Sequence, residues 1–257
     1  MDKFQILKMK DKSDKLHIDK KLLFNLPMKV AIVGRSQLSG KTNMVSNFLL
    51  REIFYKNDFA PEDIYIISPS LNTDRKLKTL IEERDIPDEN LFTEYQEEVL
   101  EALYEMLKDE YNEKISEGER PQHKLFLIDD MSASGKLKEK MNGIMSKIFC
   151  NGRHILLSVI VTAQKYSDIL TSCRENLTGG IFFAGTNKQL ELIYDDHSHY
   201  DRKTFINLIR KTTKEPHSFL VVNYSNPHET RYMNSHFKPI GSCGEVLKSH
   251  GGDCPCG

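Results

Sequence analysis

The sequence predicts an α/β fold in which a mainly parallel sheet is flanked by helices. Short apolar runs rich in β-branched residues alternate with longer amphipathic stretches, and this alternation indicates strands joined by crossover helices. The predicted strands are 29–33, 64–68, 124–128, 156–163, 181–184 and 218–223. The predicted helices are 41–55, 74–84, 95–115, 137–150, 188–195 and 201–211.

Three segments of the chain differ in composition. Residues 1–27 are rich in Lys and Asp and are predicted to be an N-terminal extension, with a weak strand-like alternation at 4–9. Residues 28–238 carry the alternating elements, and a chain of 257 residues accommodates one large domain of this kind. Residues 239–257 are rich in Gly and Cys and are expected to form a flexible tail.

The overall composition restricts the classes of function. With 36 basic and 37 acidic residues the chain has no global basic field, so any contact with nucleic acid must be local. No apolar run approaches the roughly 18 residues of a membrane span, and the first residues lack the apolar core of a signal peptide. Five cysteines, an odd number, fit a reducing compartment better than a disulfide framework.

Residues 34–42 form a candidate phosphate-binding loop between the first predicted strand and an apolar helix. In the pattern Gly-x-x-x-x-Gly-Lys-[Ser/Thr], glycine lets the backbone approach phosphate and lysine reaches the β- and γ-phosphates, while the hydroxyl binds Mg²⁺. Lys41 and Thr42 are predicted to take these two roles. The predicted nucleotide contacts are Gly34, Arg35, Ser36, Gln37, Leu38, Ser39, Gly40, Lys41, Thr42 and Asn43.

This loop departs from the standard pattern at its start. The first glycine should stand at position 35, where the chain has Arg35, and the neighbouring glycine is Gly34. The loop is therefore one residue longer than usual. We expect an altered bulge within 35–38, with Lys41 and Thr42 in their usual places.

The predicted strand at 124–128 ends in two carboxylates, Asp129 and Asp130. Neighbouring strand residues face opposite sides of a sheet, so both can face one ligand only where the strand ends and the backbone turns. Asp129 is predicted to hold Mg²⁺ through its water shell, and Asp130 to polarise the attacking water. The alternative is an ordinary acidic loop cap, which the preceding Lys-Thr loop makes less favoured.

The predicted strand at 64–68 separates these two motifs in the sequence. An additional strand between the P-loop strand and the carboxylate strand is the arrangement of RecA-like ATPases, whereas nucleotide kinases and GTPases place those two strands side by side. The predicted fold class is therefore a RecA-like, additional-strand P-loop NTPase, and we expect 64–68 to be the intervening strand.

The predicted strand at 156–163 ends in an amide side chain, Gln164. Beside the carboxylate strand, this amide can contact the γ-phosphate or orient water as a sensor. The alternative, a strand-end glutamine bound to a loop carbonyl, is favoured when this strand is considered in isolation. The sequence leaves both interpretations open.

Together these motifs resemble the FtsK–HerA superfamily, and within it the DNA-packaging ATPases of poxviruses, giant viruses and virophages. The matching segments are Ser39–Thr42, Leu127–Asp130, Gly152–His154, Gln164 and Arg174–Asn176, followed by the apolar strand at 181–183. The resemblance covers about residues 28–225, and the order and spacing of five segments make it more specific than the loop alone. The lengthened loop is the departure from the family pattern.

The resemblance implies an ATPase that uses ATP and Mg²⁺ to pump double-stranded DNA into a capsid. It implies a homo-oligomeric ring, a pentamer or a hexamer, that works with a viral capsid or portal component in the host cytoplasm and in the virion. In such rings an arginine acts on the nucleotide of the neighbouring subunit. Arg174 and Arg153 are the candidates, with Arg174 preferred; a surface ion pair is the alternative for each.

Two basic segments are candidate DNA contacts. The loop at 131–140 carries alternate lysines after a Ser/Gly-rich stretch and could touch phosphates without reading bases. A solvated helix start is the favoured alternative for it. For Arg202, Lys203 and 210–214, ordinary surface charge is favoured.

Two His-containing segments have the composition of metal sites. The run Asp-Asp-His-Ser-His at 195–199 lacks a third partner at a suitable spacing and is interpreted as a polar helix end. In the tail, Cys243, His250, Cys254 and Cys256 include a Cys-x-Cys pair that is tighter than the usual zinc spacing. A tail without metal is the favoured interpretation.

Two other functions compete with the DNA motor. A nucleotide or small-molecule kinase would need adjacent P-loop and carboxylate strands and an arginine-rich lid. An assembly-only protein, which binds ATP without turning it over, is favoured by the lengthened loop.

Overall fold

The computed structural model describes residues 19–35, 39–130 and 143–240. The weak strand at 4–9, loop residues Ser36, Gln37 and Leu38, the lysine loop at 131–140 and the Cys/His tail lie outside these ranges.

The described residues form a sheet with helices on both faces. The strands are β1 (Lys29–Val33), β2 (Ile64–Ile67), β3 (Leu91–Phe92), β4 (Lys124–Ile128), β5 (Leu157–Ala163), β6 (Gly179–Phe183), β7 (Phe219–Asn223) and β8 (Tyr232–Met233). The α-helices are α1 (Lys41–Leu50), α2 (Arg75–Arg84), α3 (Glu97–Ser116), α4 (Ile144–Asn151), α5 (Thr171–Arg174), α6 (Asn187–His197) and α7 (Arg202–Thr212). Within these ranges, no helix is long and apolar enough to cross a membrane.

The sheet has the order β3-β2-β4-β5-β1-β6-β7-β8. Strands β3 to β6 in this order are all parallel, and β7 and β8 continue the sheet in antiparallel pairs. This confirms the predicted mainly parallel α/β fold. The carboxyl ends of the parallel strands share one edge, which is where ligands bind in open α/β sheets.

The intervening strand is β5, so the expectation that 64–68 fills this position is wrong. β5 pairs with both β1 and β4, while β2 lies on the outer side of β4. All seven residues of β5 are buried, which suits the centre of a sheet. The P-loop and carboxylate strands are still separated by one strand, as an additional-strand fold requires. The order along the chain does not fix the order in the sheet, because crossover connections can skip positions.

The two faces of the sheet form separate cores because strand side chains alternate in direction. Ile32 and Leu127 pack with α1 and α2, whereas Ala31 and Phe126 pack with the helices of the opposite face. The α1 face is the one onto which the phosphate-binding loop continues from β1.

Residues 19–27 pack against the predicted ATPase domain. Leu23 and Phe24 are buried in the core on the α1 face. The Asn223 side-chain amide donates to the carbonyls of Leu22 and Leu23 over 3.1 and 3.0 Å. Side chains of this segment therefore contribute to the stability of the fold.

Candidate functional site

A cleft of about 340 Å³ opens at the carboxyl edge of the sheet, on the α1 face. Its walls include Ser39, Lys41, Thr42, Asp74, Asp129 and Asp130. The fold thus brings the phosphate-binding loop and the two carboxylates, which are far apart in the chain, into one cavity.

Two glycines shape the described part of the phosphate-binding loop. A Cβ atom on Gly34 would lie 2.5 Å from the Ser39 Cβ and 2.8 Å from the Phe183 Cβ, so only glycine fits where the chain leaves β1. Gly40 has a left-handed φ of 91° and directly precedes α1. Among the described residues, no side chain caps this helix start. Its N–H groups are therefore suited to bind an anion.

The Lys41 side chain folds back toward the start of the phosphate-binding loop. Its Nζ donates to the Gly34 carbonyl over 2.8 Å. Burial lowers the pKa of Lys41, while the nearby carboxylates of Asp130 and Asp129 act in the opposite direction. The lysine is thus placed between the start of the loop and the acidic pair, where it can exchange a carbonyl for a phosphate oxygen.

Asp129 is a buried carboxylate held by three hydroxyl groups. Its Oδ1 accepts from the Thr162 hydroxyl over 2.6 Å, and its Oδ2 accepts from Ser68 and Ser70 over 2.9 and 3.3 Å. Thr162 and Ser68 are fully buried, and Asp129 is 8% exposed. These bonds fix the orientation of the carboxylate toward the cleft.

Asp130 stands where the backbone turns at the end of β4. Its φ is 51°, in the left-handed region. Its N–H donates to the Thr162 Oγ1 over 2.9 Å, and its carboxylate accepts from Gln164 Nε2 over 3.1 and 3.3 Å. This turn lets two successive aspartates line the same cleft. Gln164 thus contacts Asp130, and its side chain lines an adjacent cleft rather than this one.

The Thr42 hydroxyl points to a further acidic residue, Asp74. It donates to Asp74 Oδ2 over 3.3 Å. The other Asp74 oxygen accepts from the N–H groups of Lys76 and Leu77 and so caps the start of α2. Hydroxyl and carboxylate oxygens of Thr42, Asp74 and Asp129 around one cleft are the donor chemistry that Mg²⁺ prefers, so the residues fit the predicted ion.

The two candidate arginines lie in different surroundings, and neither lines the cleft. Arg174 pairs with Asp196 over 2.8 Å, lies 5.1 Å from the centre of the Tyr166 ring, and is 12% exposed. Arg153 is exposed in the 3-10 turn Gly152–Ile155 that precedes β5. β5 runs from this turn to the cleft, so Arg153 lies at the opposite edge of the sheet. A seven-residue strand places it about 23 Å from the cleft along the strand axis.

Of the two His-containing segments, the structure describes only the one at 195–199. His197 is buried, with Nε2 2.7 Å from the Tyr166 hydroxyl and Nδ1 in contact with the Tyr224 hydroxyl. It is therefore part of a core network. In the part of the chain that the structure describes, no three His, Cys, Asp or Glu side chains are placed to share a metal ion. The Cys/His tail lies outside that part.

Several residues that shape the site belong to none of the predicted motifs: Ser68, Ser70, Asp74, Thr162 and His217. A partial signal existed for the hydroxyls. Thr162 interrupts an apolar strand two residues before Gln164, and Ser68 directly follows β2. Nothing in the sequence indicated that His217, from the segment before β7, would line the cleft.

Comparisons with known proteins give a family and a fold. The family model described as "Poxvirus A32 protein" matches residues 15–233. No curated protein sequence matches the chain significantly.

Two solved structures with the same architecture come from Sulfolobus viruses. The genome packaging NTPase B204 from Sulfolobus turreted icosahedral virus 2, in complex with AMPPCP, superposes with a TM-score of 0.54 at 16% identity. The DNA-packaging ATPase B204 from Sulfolobus turreted icosahedral virus superposes with a TM-score of 0.53, also at 16% identity. Each match covers 84% of this chain and 100% of the other. At this identity the likeness shows the fold, and it confirms the predicted P-loop NTPase class.

Proposed function

Because the chain belongs to the poxvirus A32 protein family, we propose that it is an ATP-hydrolysing motor that packages double-stranded DNA into a viral capsid. The observation that carries this proposal is the assembly of Lys41, Asp129 and Asp130 in one cleft, with Gln164 bonded to Asp130. The two Sulfolobus virus proteins with this fold are themselves named as packaging enzymes.

The start of α1 and Lys41 would bind the phosphates of ATP. Lys41 Nζ would leave the Gly34 carbonyl, to which it now donates, for the β- and γ-phosphate oxygens. Thr42 would hold Mg²⁺ directly and Asp129 through water, and the ion would neutralise phosphate charge. The Thr42 hydroxyl would then turn away from Asp74, its present acceptor.

Asp130 and Gln164 would couple hydrolysis to recognition of the γ-phosphate. The Gln164 amide now donates to both oxygens of the Asp130 carboxylate. A γ-phosphate oxygen offers the amide a competing acceptor, so nucleotide binding would free the carboxylate to orient the attacking water. The contact between Gln164 and the γ-phosphate would form with ATP and not with ADP, so the position of Gln164 would differ between the two states.

An arginine from a neighbouring subunit would complete the site in a homo-oligomeric ring, a pentamer or a hexamer. Arg153 suits this role because it is exposed at the edge opposite the cleft of its own subunit. Arg174 is the weaker candidate, since Asp196 and Tyr166 already bind it within the chain. The ring would act on DNA with a capsid or portal component, in the host cytoplasm and the virion.

The position of β5 between β1 and β4 disfavours the kinase alternative, which requires adjacent P-loop and carboxylate strands. The deciding experiment measures phosphate release with and without double-stranded DNA, on protein whose mass is determined by light scattering. We expect DNA to stimulate an oligomer, and Lys41→Ala to abolish release. Phosphate found on an acceptor would indicate a kinase. Slow turnover with DNA, together with ATP-dependent oligomerisation, would indicate an assembly-only protein.

A further inference from the structure

A second cleft borders the phosphate-binding loop on the side away from β4. It has a volume of about 310 Å³, and its walls include Arg35, Phe183, Gly185 and the segment 213–218. Ser39 and His217 line both this cleft and the one that contains Lys41 and the aspartates. The two clefts therefore adjoin at these two residues and form a groove across the loop.

We propose that this second cleft binds the nucleoside of the nucleotide, with the His217 ring packed against it. The inference rests on the proposed function, which places the γ-phosphate beside Lys41 and Asp130. A triphosphate that extends from Lys41 past Ser39 would bring its nucleoside into the second cleft, because Ser39 lines both clefts. The sheet order places β6 and β7 on the side of β1 away from β4. A volume of about 310 Å³ lies at the lower end of the usual range for small-molecule sites, about 300–1,000 Å³.

The topology explains why the segment 213–218 reaches the phosphate-binding loop. β7 is antiparallel to β6, and Phe219 at its start pairs with Phe183 at the end of β6. The connection from α7 to β7 therefore enters the sheet at the edge where α1 begins. Because β7 is antiparallel, the segment that precedes it forms a wall of the second cleft.

The backbone of this segment is held in an unusual conformation. His217 has a φ of 61°, in the left-handed region that β-carbon-bearing residues rarely adopt. The N–H and the hydroxyl of Ser218 both donate to the Glu215 carbonyl, over 3.1 and 2.5 Å, and close the turn around it. As a result, His217 Nδ1 lies 3.7 Å from the point where a Cβ on Gly40 would stand. A strained residue held directly over a binding loop is a candidate functional residue.

A third cleft, of about 240 Å³, also touches the loop; it includes Gln164 and shares Arg35 and Phe183 with the second cleft, but it extends toward the face of the sheet opposite α1. It is lined by Val33 and Ile193, which pack in the core opposite α1. A nucleotide whose phosphates occupy the start of α1 would have to pass around the end of β1 to reach it. The second cleft needs no such path.

Isothermal titration calorimetry with two Mg²⁺-loaded ligands tests the assignment: AMPPCP, and inorganic tripolyphosphate, which lacks a nucleoside. The variants are His217→Asn and His217→Gly. Asn and Gly both accept a left-handed backbone conformation, so we expect both variant proteins to fold. We expect each to weaken AMPPCP binding on the order of 10-fold, as for loss of a stacked ring, and to leave tripolyphosphate binding unchanged. His228→Ala is the matched control, because this exposed histidine follows the far end of β7.

An equal loss for both ligands would mean that His217 contacts phosphate, and no loss for either would mean that it does not contact the nucleotide; both results overturn the assignment. If the wild-type protein binds neither ligand, the proposed ATPase function fails instead. Circular dichroism verifies that each variant is folded.

Discussion

Replacement of Thr162 by valine tests whether one buried hydroxyl holds both aspartates in place. The Thr162 Oγ1 donates to the Asp129 carboxylate over 2.6 Å and accepts from the Asp130 N–H over 2.9 Å. Thr162 is fully buried, so water cannot readily replace it. Valine has nearly the same shape but removes both hydrogen bonds.

The magnitude follows from these two bonds. A hydrogen bond to a charged group contributes about 1.5–3 kcal/mol, and a buried donor left without a partner costs about 1–3 kcal/mol. Allowing for non-additivity, we expect Thr162→Val to lower the free energy of unfolding by about 2–4 kcal/mol. If about half of this is lost in the transition state, kcat falls roughly 10-fold, because 1.36 kcal/mol corresponds to one factor of ten.

The assay combines phosphate-release kinetics with urea unfolding, both at a temperature where circular dichroism shows folded protein. Thr162→Ser is the matched control: it keeps the hydroxyl, and its kcat should stay near the wild-type value. We expect the AMPPCP affinity of Thr162→Val to change less than kcat, because Lys41 and the start of α1 remain intact. A Thr162→Val enzyme with the wild-type kcat would refute the idea that this hydroxyl positions the aspartates.

Three further predictions concern the loop, a buried histidine and the arginines. Gly34→Ala should abolish AMPPCP binding, measured by thermal shift, because its Cβ would clash with Ser39; a shift equal to wild type would contradict this. Burial lowers the pKa of His197 to about 3, so the unfolded chain takes up a proton below pH 6.5 while the folded chain does not. Between pH 7.5 and 5.5 the wild type should therefore lose about 1.4 kcal/mol more stability in urea than His197→Gln, and equal losses would refute the shift. Arg174→Ala should lower the free energy of unfolding by about 1–3 kcal/mol, whereas Arg153→Ala should change it by less than about 0.5 kcal/mol and reduce ATPase activity in the assembled protein. The reverse order of stabilities would contradict the observed contacts.

The sequence predicted the fold class and the main strands because each signal is local. Lys41 and Asp129 each follow a strand, and parallel strands place their carboxyl ends at one edge, so the meeting of these residues in one cleft follows from the pattern. The six predicted strands correspond to β1, β2 and β4–β7, with ends shifted by at most two residues. β3 and β8 were not predicted, because two residues carry no periodicity.

The features that the sequence did not predict depend on contacts distant in the chain. β5 lies between β1 and β4, whereas the strand at 64–68 was predicted there. Strand order is set by packing across crossover connections, which the order of motifs along the chain does not reveal. The hydroxyl of Thr162 becomes part of the site only when β5 pairs with β4. Likewise, His217 reaches the P-loop only because β7 runs antiparallel to β6.

We propose that ATP hydrolysis moves this protein along double-stranded DNA. The most direct measurement is displacement of a labelled third strand from a triplex at one end of a linear duplex. We expect the assembled wild-type protein to displace the strand with ATP, and to fail with AMPPCP or when Asp130 is replaced by Asn. Rapid ATP hydrolysis by an assembled protein on this DNA, without displacement above the Lys41→Ala background, would contradict the claim.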